Sequence, residues 1–164
     1  MDSIKFKSVI FRLEYLLGVN YIEIPKKVML LFFGKRIICH LNDQIFFQCG
    51  IVALGNEKGY ITVNNKRMKQ LKLALGDAVS VRLEIDNSQY GMEVPSELTE
   101  LLDQDKIGKK RFELLTPGIQ RYIIYYVSQV KNSQKRIDRA ILLIENLKRL
   151  PQGKETFREL LGKE

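Results

Sequence analysis

The chain has 164 residues, of which 45% are hydrophobic and 28% charged, with two cysteines, a single histidine and a formal net charge of +8 at pH 7. A chain of this length buries about 70% of the surface that its unfolded form exposes, so a core forms without disulfides or metals, and disorder is not expected. No uncharged run reaches the roughly 18 residues of a membrane-spanning helix, so no membrane segment is expected.

The composition also restricts the chemistry. Catalytic triads, Cys-His pairs and zinc sites with several imidazoles would all depend on His40. On a strand, Cys39 and His40 point to opposite faces, which argues against a shared metal ion. We therefore predict a protein that acts by binding and not by catalysis, without cofactor or metal. Residues 1–5 lead into alternating polar and apolar positions and not into an apolar signal sequence, so a cytoplasmic location with reduced thiols is expected.

Residues 4–93 alternate between polar and apolar positions as β-strands do, with short helical segments between them. Glycines and Pro25 mark the breaks between the predicted strands of residues 4–93. Asn42-Asp43 has the composition of a hairpin turn. The predicted strands are 4–7 with 9–13, 37–41, 44–48 and 79–85.

An internal repeat organises this half. Segments 21–41 and 60–83 each read as a strand, a polar break, one or two helical turns, a glycine turn and a second strand. Pro25 suits the start of the first helix, and Asn64 can cap the second. The matched positions are Tyr21 with Tyr60, Ile22 with Ile61, Ile24 with Val63, and Gly34 with Gly76. Two such halves about a pseudo-two-fold axis predict a small closed β-barrel of the double-split type, with short inserted helices.

The first copy contains IPKKV, an apolar turn and a glycine before its last strand, and the second contains LALGDAVSVRLE with a Gly-Asp turn. This pattern resembles the swapped-hairpin half of AbrB-type transcription regulators, in which two chains each supply half of a barrel. The resemblance implies that both halves are joined in tandem here. Gly34-Lys35 departs from the Gly-Asp pattern.

After Pro95 the apolar period becomes helical. A short acidic helix is expected to begin with Ser96 as its N-cap, followed by a basic link at 108–111. Thr116-Pro117 has the composition of an N-cap and a first helical residue. A last helix is expected from about 134 to 150, with its apolar stripe at Ile137, Ala140, Ile141, Ile144 and Leu147.

Segments 60–105 and 112–147 together resemble the bacterial proteins described as bacteriocin-protection, YdeI or OmpD-associated. That resemblance implies a small barrel at 1–95 and a C-terminal helical extension at 96–164 packed on it, and it implies no particular activity. The residues that carry it are Asn64, Lys66, Arg67, Gly76, Asp77, Asp86, Pro95, Glu97, Leu98, Leu114, Pro117, Arg136 and Ile137.

The basic excess is concentrated in 106–149, with 11 basic residues against three acidic ones. A helix continuous from Lys131 would carry a basic stripe of Lys131, Lys135, Arg136 and Arg139, on a face separate from the apolar stripe. We predict that this stripe recognises an anionic partner, either nucleic acid or an acidic protein. The secondary candidates are Lys26, Lys27, Lys66 and Arg67 on the two helical turns of the barrel. Alternatively, the acidic segment 96–105 neutralises the stripe within the monomer.

A second hypothesis is a small-ligand-binding protein or enzyme, with a pocket between barrel and helices. Asp86 and three tyrosines, Tyr122, Tyr125 and Tyr126, would line it, although tyrosines at this spacing are also typical of a core. Asp77 and Asp86 are also flanked by residues typical of turns, so a structural role in a turn is the alternative for both. A monomer is expected because a pseudo-dimeric chain closes its barrel without a second copy.

Overall fold

The computed structural model describes residues 3–14 and 18–163, and the chain divides into two compact units, 1–91 and 92–164. The first unit is mainly β and the second is helical, as predicted. The elements of the first unit are β1 Ile4–Leu13, β2 Val19–Ile24, α1 Lys26–Phe32, β3 Ile37–Leu41, β4 Ile45–Cys49, β5 Val52–Gly55, β6 Lys58–Thr62, α2 Asn65–Gln70 and β7 Ala78–Ile85.

The seven strands form one sheet in the order β4-β3-β7-β1-β2-β6-β5, and neighbouring strands run antiparallel. Strands β4 and β5 lie at opposite ends of this order, yet only Gly50 and Ile51 separate them in the chain. Laid flat, seven strands at about 4.8 Å spacing would hold the end strands about 29 Å apart. The link spans at most about 11 Å, so the sheet has to curl.

The strand pairing has the internal relation that the repeat predicts. Residues 4–9 of β1 pair with β7, and residues 10–13 pair with β2. In the same way, β4 pairs with β3 and β5 pairs with β6, so segment 45–55 repeats the pairing of β1. The matched residues Ile22 and Ile61 lie directly opposite each other in the ladder between β2 and β6.

The core of this unit lies on the inner face of the curled sheet. Alternate residues of the strands, such as Ile22, Ile61 and Leu83, are buried, and Phe32 of α1 and Met68 of α2 join them. Period-two alternation places the intervening residues on the outer face of the same strands.

Two tight hairpin turns connect neighbouring strands. Asn42 and Asp43 have φ values of 52° and 50°, and Asn56 and Glu57 have 51° and 62°. Two-residue turns with positive φ match the twist of antiparallel strands, and Asn and Asp tolerate that region best. The hairpin predicted at Asn42-Asp43 is therefore confirmed.

The second unit is built around one long helix. Its elements are α3 Ser96–Gln104, α4 Lys106–Glu113, α5 Pro117–Ser128, α6 Ser133–Arg149 and α7 Phe157–Leu160. The other helices pack against α6, which buries Ala140, Leu143, Ile144 and Leu147. Ile137 and Ile141, predicted in the same stripe, are partly exposed. Among the residues described, no helix is long and apolar enough to cross a bilayer.

The helix starts follow local capping chemistry. Thr116 caps α5 with Pro117 at its first turn, as predicted. The N-cap of α3, however, is Pro95 and not Ser96, because the Pro95 carbonyl already accepts hydrogen bonds from the amides of Leu98 and Thr99, 3.1 Å away in both cases.

The expected basic link at 108–111 is wrong, because these residues belong to α4. Asp105 caps the helix by accepting a 2.8 Å hydrogen bond from the Gly108 amide. Gly108 lies where a Cβ would come within 2.5 Å of Ile144 Cγ2, so this glycine permits close helix packing and does not mark a linker.

Helix α7 was not predicted, although its start has a recognisable pattern. Thr156 and Glu159 form a reciprocal capping box, in which each side chain accepts from the backbone amide of the other residue. The Thr-x-x-Glu spacing in the sequence signals this motif.

Candidate functional site

Arg136, in the middle of the predicted basic stripe, is hydrogen-bonded to backbone carbonyls at the end of α5 and in the connection to α6. Its Nε donates to the Val130 carbonyl at 2.7 Å, and its Nη2 lies 3.5 Å from the Ser128 carbonyl. Its Nη1 lies 3.8 Å from Glu97 Oε2 on α3. Carbonyls at the end of a helix have no intrahelical partner, so Arg136 satisfies groups that would otherwise need water.

Arg139 has a similar structural role. Its Nη1 donates to the Tyr126 carbonyl at 2.8 Å, and its guanidinium carbon lies 4.2 Å from the centroid of the Tyr126 ring. Two of the four predicted stripe residues therefore use their hydrogen-bond donors inside the unit. The contact of Arg136 with Glu97 agrees with the alternative in which the acidic segment neutralises part of the stripe.

The helix continuous from Lys131 is not observed. Asn132 caps α6 by accepting from the Lys135 amide at 3.0 Å, so Lys131 lies in the connection before the helix. Lys131 and Lys135 are both exposed, and neither side chain has an acidic partner in the part of the chain that the structure describes. These two lysines are the accessible cations of the predicted set.

The secondary candidates also differ from one another. Lys26 pairs with Glu57, whereas Lys27 and Lys66 are exposed and have no ion pair among the described residues. Arg67 is half-buried, with its guanidinium carbon 3.8 Å from the centroid of the Phe47 ring. Burial lowers the pKa of Arg67, opposed by the nearby Cys49 and Cys39.

Helix α2 carries a concentration of charge that the sequence reasoning used only in part. Lys69 and Lys72 join Lys66 and Arg67, and the stretch 59–76 contains no acidic residue. Lys69 and Lys72 are exposed and have no ion pair within the described ranges. Four basic residues within 66–72, with no acid nearby, are the signal that could have identified this cluster. We call Lys66, Arg67, Lys69 and Lys72 the α2 cluster.

The tyrosines of α5 are not core residues. Tyr122 and Tyr125 are each more than half exposed, while Tyr126 is half-buried. Tyr122 stacks on Phe157 of α7 with the ring centroids 5.4 Å apart, and Tyr126 meets the same ring edge-on at 5.9 Å. The core interpretation is therefore wrong for Tyr122 and Tyr125.

Asp86 is a structural carboxylate within the first unit. Its Oδ1 accepts from the Ser88 amide at 2.9 Å, as the turn prediction requires, and its Oδ2 accepts from Gln48 Nε2 at 2.9 Å. Burial raises the pKa of Asp86, but the hydrogen bonds from Ser88 and Gln48 and the charge of Arg36 outweigh it and hold the pKa below its ordinary value. The carboxylate connects the residue after β7 to Gln48 of β4, across the intervening strand β3.

Asp86→Asn is expected to destabilise the protein near neutral pH by about 1.5–3 kcal/mol, the usual contribution of hydrogen bonds to a charged group. Because the folded pKa is lowered, the stabilisation is present above the unfolded value of about 3.9 and is lost as pH falls through the folded pKa. The difference between variant and wild type should therefore shrink toward pH 3. Thermal unfolding followed by circular dichroism at several pH values measures this. Asp43→Asn removes only an exposed 3.7 Å contact with Arg82, which is worth little, so this control should leave the profile nearly unchanged.

His40 is a hydrogen-bonded strand histidine. Its Nε2 lies 3.0 Å from Glu84 Oε1, and its Nδ1 lies 3.0 Å from Arg82 Nη2. Cys39 is buried on the opposite face, where a hydrogen bond with Cys49 and burial raise the pKa of its thiol. Within the described residues, no three histidine, cysteine or acidic side chains come together in a way that could hold a metal.

A groove of about 320 Å³ lies between α1 and the β5–β6 hairpin. Its walls are mainly apolar, with charged side chains at the rim. They are formed by Lys26, Met29, Leu30, Phe33, Ala53, Gly55, Glu57 and Lys58. None of the residues proposed for the small-ligand pocket lines this groove.

Together these features define a two-unit protein, a curled antiparallel sheet followed by a small helical unit. Residues 91–150 match the family model described as bacteriocin-protection, YdeI or OmpD-associated. Over this segment the chain is similar to that family.

Similarity to a known protein extends beyond the matched segment. The uncharacterized protein YdeI of Bacillus subtilis (strain 168) is 29% identical over 129 residues, which cover 74% of this chain and 66% of that protein. The chain thus spans slightly less than two thirds of that relative. No solved structure matches the chain. These comparisons do not show the AbrB-type resemblance.

Proposed function

We propose that this protein is a non-catalytic binding protein for a polyanion, with nucleic acid as the partner. The observation that carries the proposal is the α2 cluster, which places four basic residues within seven positions in a stretch of chain without a carboxylate. An unopposed cluster of this kind attracts phosphates and speeds their association.

The C-terminal unit contributes a separate pair of accessible cations. Lys131 and Lys135 are exposed, whereas Arg136 and Arg139 are bound to backbone carbonyls. Neutralising all four stripe residues would therefore remove structural hydrogen bonds together with the charges. Lys131 and Lys135 alone provide an interpretable test of this unit.

Replacing Lys66, Lys69 and Lys72 with glutamine is expected to weaken nucleic-acid binding and to flatten its salt dependence. For each phosphate that the variant no longer neutralises, the slope of log K against log salt should fall by about 0.9 on duplex DNA and about 0.7 on single strands. Fluorescence anisotropy with labelled oligonucleotides, titrated at several salt concentrations, measures both effects. A Lys131→Gln, Lys135→Gln variant tests the second pair in the same assay.

A charge-matched control is available. Lys26 and Lys109 pair with Glu57 and Asp103. Their replacement by glutamine, together with that of the exposed Lys154, changes the net charge equally at positions outside the α2 cluster. We expect this control to bind like wild type. If it loses as much affinity as the α2 variant, net charge explains the binding and the cluster does not. If wild type binds no nucleic acid at low salt, the proposal is wrong, and an acidic protein becomes the partner to test.

The groove beside α1 favours a second candidate function, the binding of a small apolar ligand. Its volume is near the lower end of the 300–1,000 Å³ range typical of ligand sites, and Leu30 and Phe33 expose apolar surface at its wall. A metabolite screen by thermal shift, with Leu30→Asp as the variant that blocks the groove, tests it.

We also propose that segment 45–55 closes the sheet into a barrel of two related halves. The support for closure is that this segment pairs with β3 and β6 as β1 pairs with β7 and β2. A monomeric state and a cytoplasmic location are part of this proposal, and the free state of both cysteines agrees with a reducing compartment.

A further inference from the structure

We propose that the outer face of the curled sheet binds unstacked bases, so that the preferred partner is single-stranded nucleic acid. This inference rests on the proposed function, because it names the class of nucleic acid and adds a second contact surface. The surface is a set of cationic and aromatic side chains along β1 and across the neighbouring strands, with the apolar Val9 between Lys7 and Phe11. We call this set the outer-face band.

The centre of the band lies along β1. Ile4 and Phe6 pack against the core, so the alternate residues Lys5, Lys7 and Phe11 lie on the opposite, outer face. Lys5 and Lys7 are exposed and have no ion-pair partner in the ranges that the structure covers. They are therefore available to an external anion.

Aromatic rings form one end of the band. Phe11 lies opposite Tyr21 in the ladder, and the two rings stack with centroids 5.5 Å apart. Tyr21 meets Tyr60 edge-on at 5.6 Å. Phe11 is 38% exposed, and on the next strand beyond Tyr60 the exposed Val52 lies opposite that tyrosine. This end is a partly open aromatic platform.

The other end of the band runs across neighbouring strands, starting from Lys5 on β1. In successive ladders Lys5 lies opposite Arg82, Arg82 opposite His40, and His40 opposite Phe46. Phe46 is 70% exposed, with its ring centroid 5.7 Å from that of His40. The band therefore has aromatic residues at both ends and cations between them.

The acids on this face already have cationic partners. Glu23 pairs with Lys58 at 2.6 Å, and Glu84 lies 3.0 Å from both Arg82 and His40. Arg82 also lies 3.7 Å from the exposed Asp43 carboxylate, so its charge is shared between two acids. Lys5 and Lys7 therefore keep uncompensated positive charge between the two aromatic ends. A phosphate backbone complements the centre of the band, and planar bases complement its ends.

The pattern favours a single strand over a duplex. A duplex keeps the faces of its bases stacked inside, whereas a single strand can place them on aromatic side chains, at about 1–3 kcal/mol per base. The six residue steps from Lys5 to Phe11 span about 20 Å at 3.3 Å per residue, a distance that a short oligonucleotide covers.

The test compares three anions on the full chain, namely a labelled dT oligonucleotide, a duplex of equal length and inorganic polyphosphate of similar charge. Phe11→Leu combined with Phe46→Leu keeps apolar side chains but removes two rings. We expect it to weaken dT binding about 5-fold or more and to leave polyphosphate binding unchanged, since the loss of one stacked base costs at least about 1 kcal/mol. Lys5→Gln with Lys7→Gln should weaken the binding of both.

Phe33→Leu is the matched control, because Phe33 is 51% exposed but lies beyond α1 and outside the band. The single variant Phe46→Leu, at the most exposed ring, provides a test if the double variant fails to fold. Equal affinity of wild type for dT and polyphosphate, or unchanged dT binding by the ring variants, would overturn the inference. If the α2 variant then still loses salt-dependent binding, the proposed function stands without the band. No nucleic-acid binding by wild type would overturn both.

Discussion

Arg111→Met is expected to lower the free energy of unfolding by about 3–5 kcal/mol, the usual cost of removing one member of a buried ion pair. Arg111 Nη2 donates to the Leu150 carbonyl at 2.6 Å and lies 3.0 Å from Glu155 Oε1. The two side chains are only 16% and 7% exposed. The variant leaves the Glu155 carboxylate buried without its cation, which is the source of the penalty.

The pH dependence of this effect has a definite sign. Burial raises the pKa of Glu155, but hydrogen bonds from its own amide, from Arg111 and from the Gly153 amide lower it below its ordinary value. The pair therefore stabilises the fold above the unfolded pKa of about 4.3, and this contribution is lost as pH falls through the folded pKa. In the variant burial dominates, so the stability difference should shrink in acid.

Urea unfolding of wild type and variant between pH 3 and 7 measures this prediction. Arg149→Met is the matched control, since Arg149 is exposed near the end of α6 and has no ion pair among the described residues. A stability loss for Arg149→Met equal to that for Arg111→Met would contradict the assignment of Arg111 as a buried structural cation.

Gly108→Ala should destabilise the protein by about 1–3 kcal/mol, the usual cost of overpacking, even though alanine favours helices by about 1 kcal/mol over glycine. The added methyl group would lie 2.5 Å from Ile144 Cγ2 and 2.9 Å from the Asp105 carboxylate. It would push α4 from α6 and disturb the cap of α4. Chemical denaturation of the full chain gives the magnitude.

Gly118→Ala is the control with the opposite expected sign. Gly118 lies in the first turn of α5, and nothing comes within 4 Å of a Cβ built there. The substitution should therefore be neutral or stabilising by up to about 1 kcal/mol. If both alanine variants change stability in the same direction, close packing at Gly108 is not the reason for the glycine.

These contacts change the interpretation of the basic C-terminal stretch. Arg111, Arg136, Arg139 and Lys148 donate to carbonyl or carboxylate oxygens of their own unit. The number of basic residues in this stretch therefore overstates how many cationic side chains are available to bind a partner. The α2 cluster has a smaller excess, but no acidic residue in its stretch offsets it.

The sequence alone was sufficient for features determined over a few residues. Strand alternation, the Asn42-Asp43 turn and the Thr116-Pro117 helix start follow from side-chain period and backbone preference. The repeat also predicted that Ile22 and Ile61 are related, and the ladder places them opposite each other. Gly108 and Ser96 were misinterpreted because their roles depend on Ile144 and on the Pro95 carbonyl.

Only the tertiary structure decided which side chains remain available. Lys135 and Arg139 lie one helical turn apart and look equivalent in sequence, but the end of α5 supplies a carbonyl and a ring to Arg139 and nothing to Lys135. The outer-face band likewise depends on strand register, which places Lys5 beside Arg82 although nearly half of the chain separates them. Periodicity determines the face on which a residue lies, whereas long-range pairing determines its neighbours, because those partners come from distant segments.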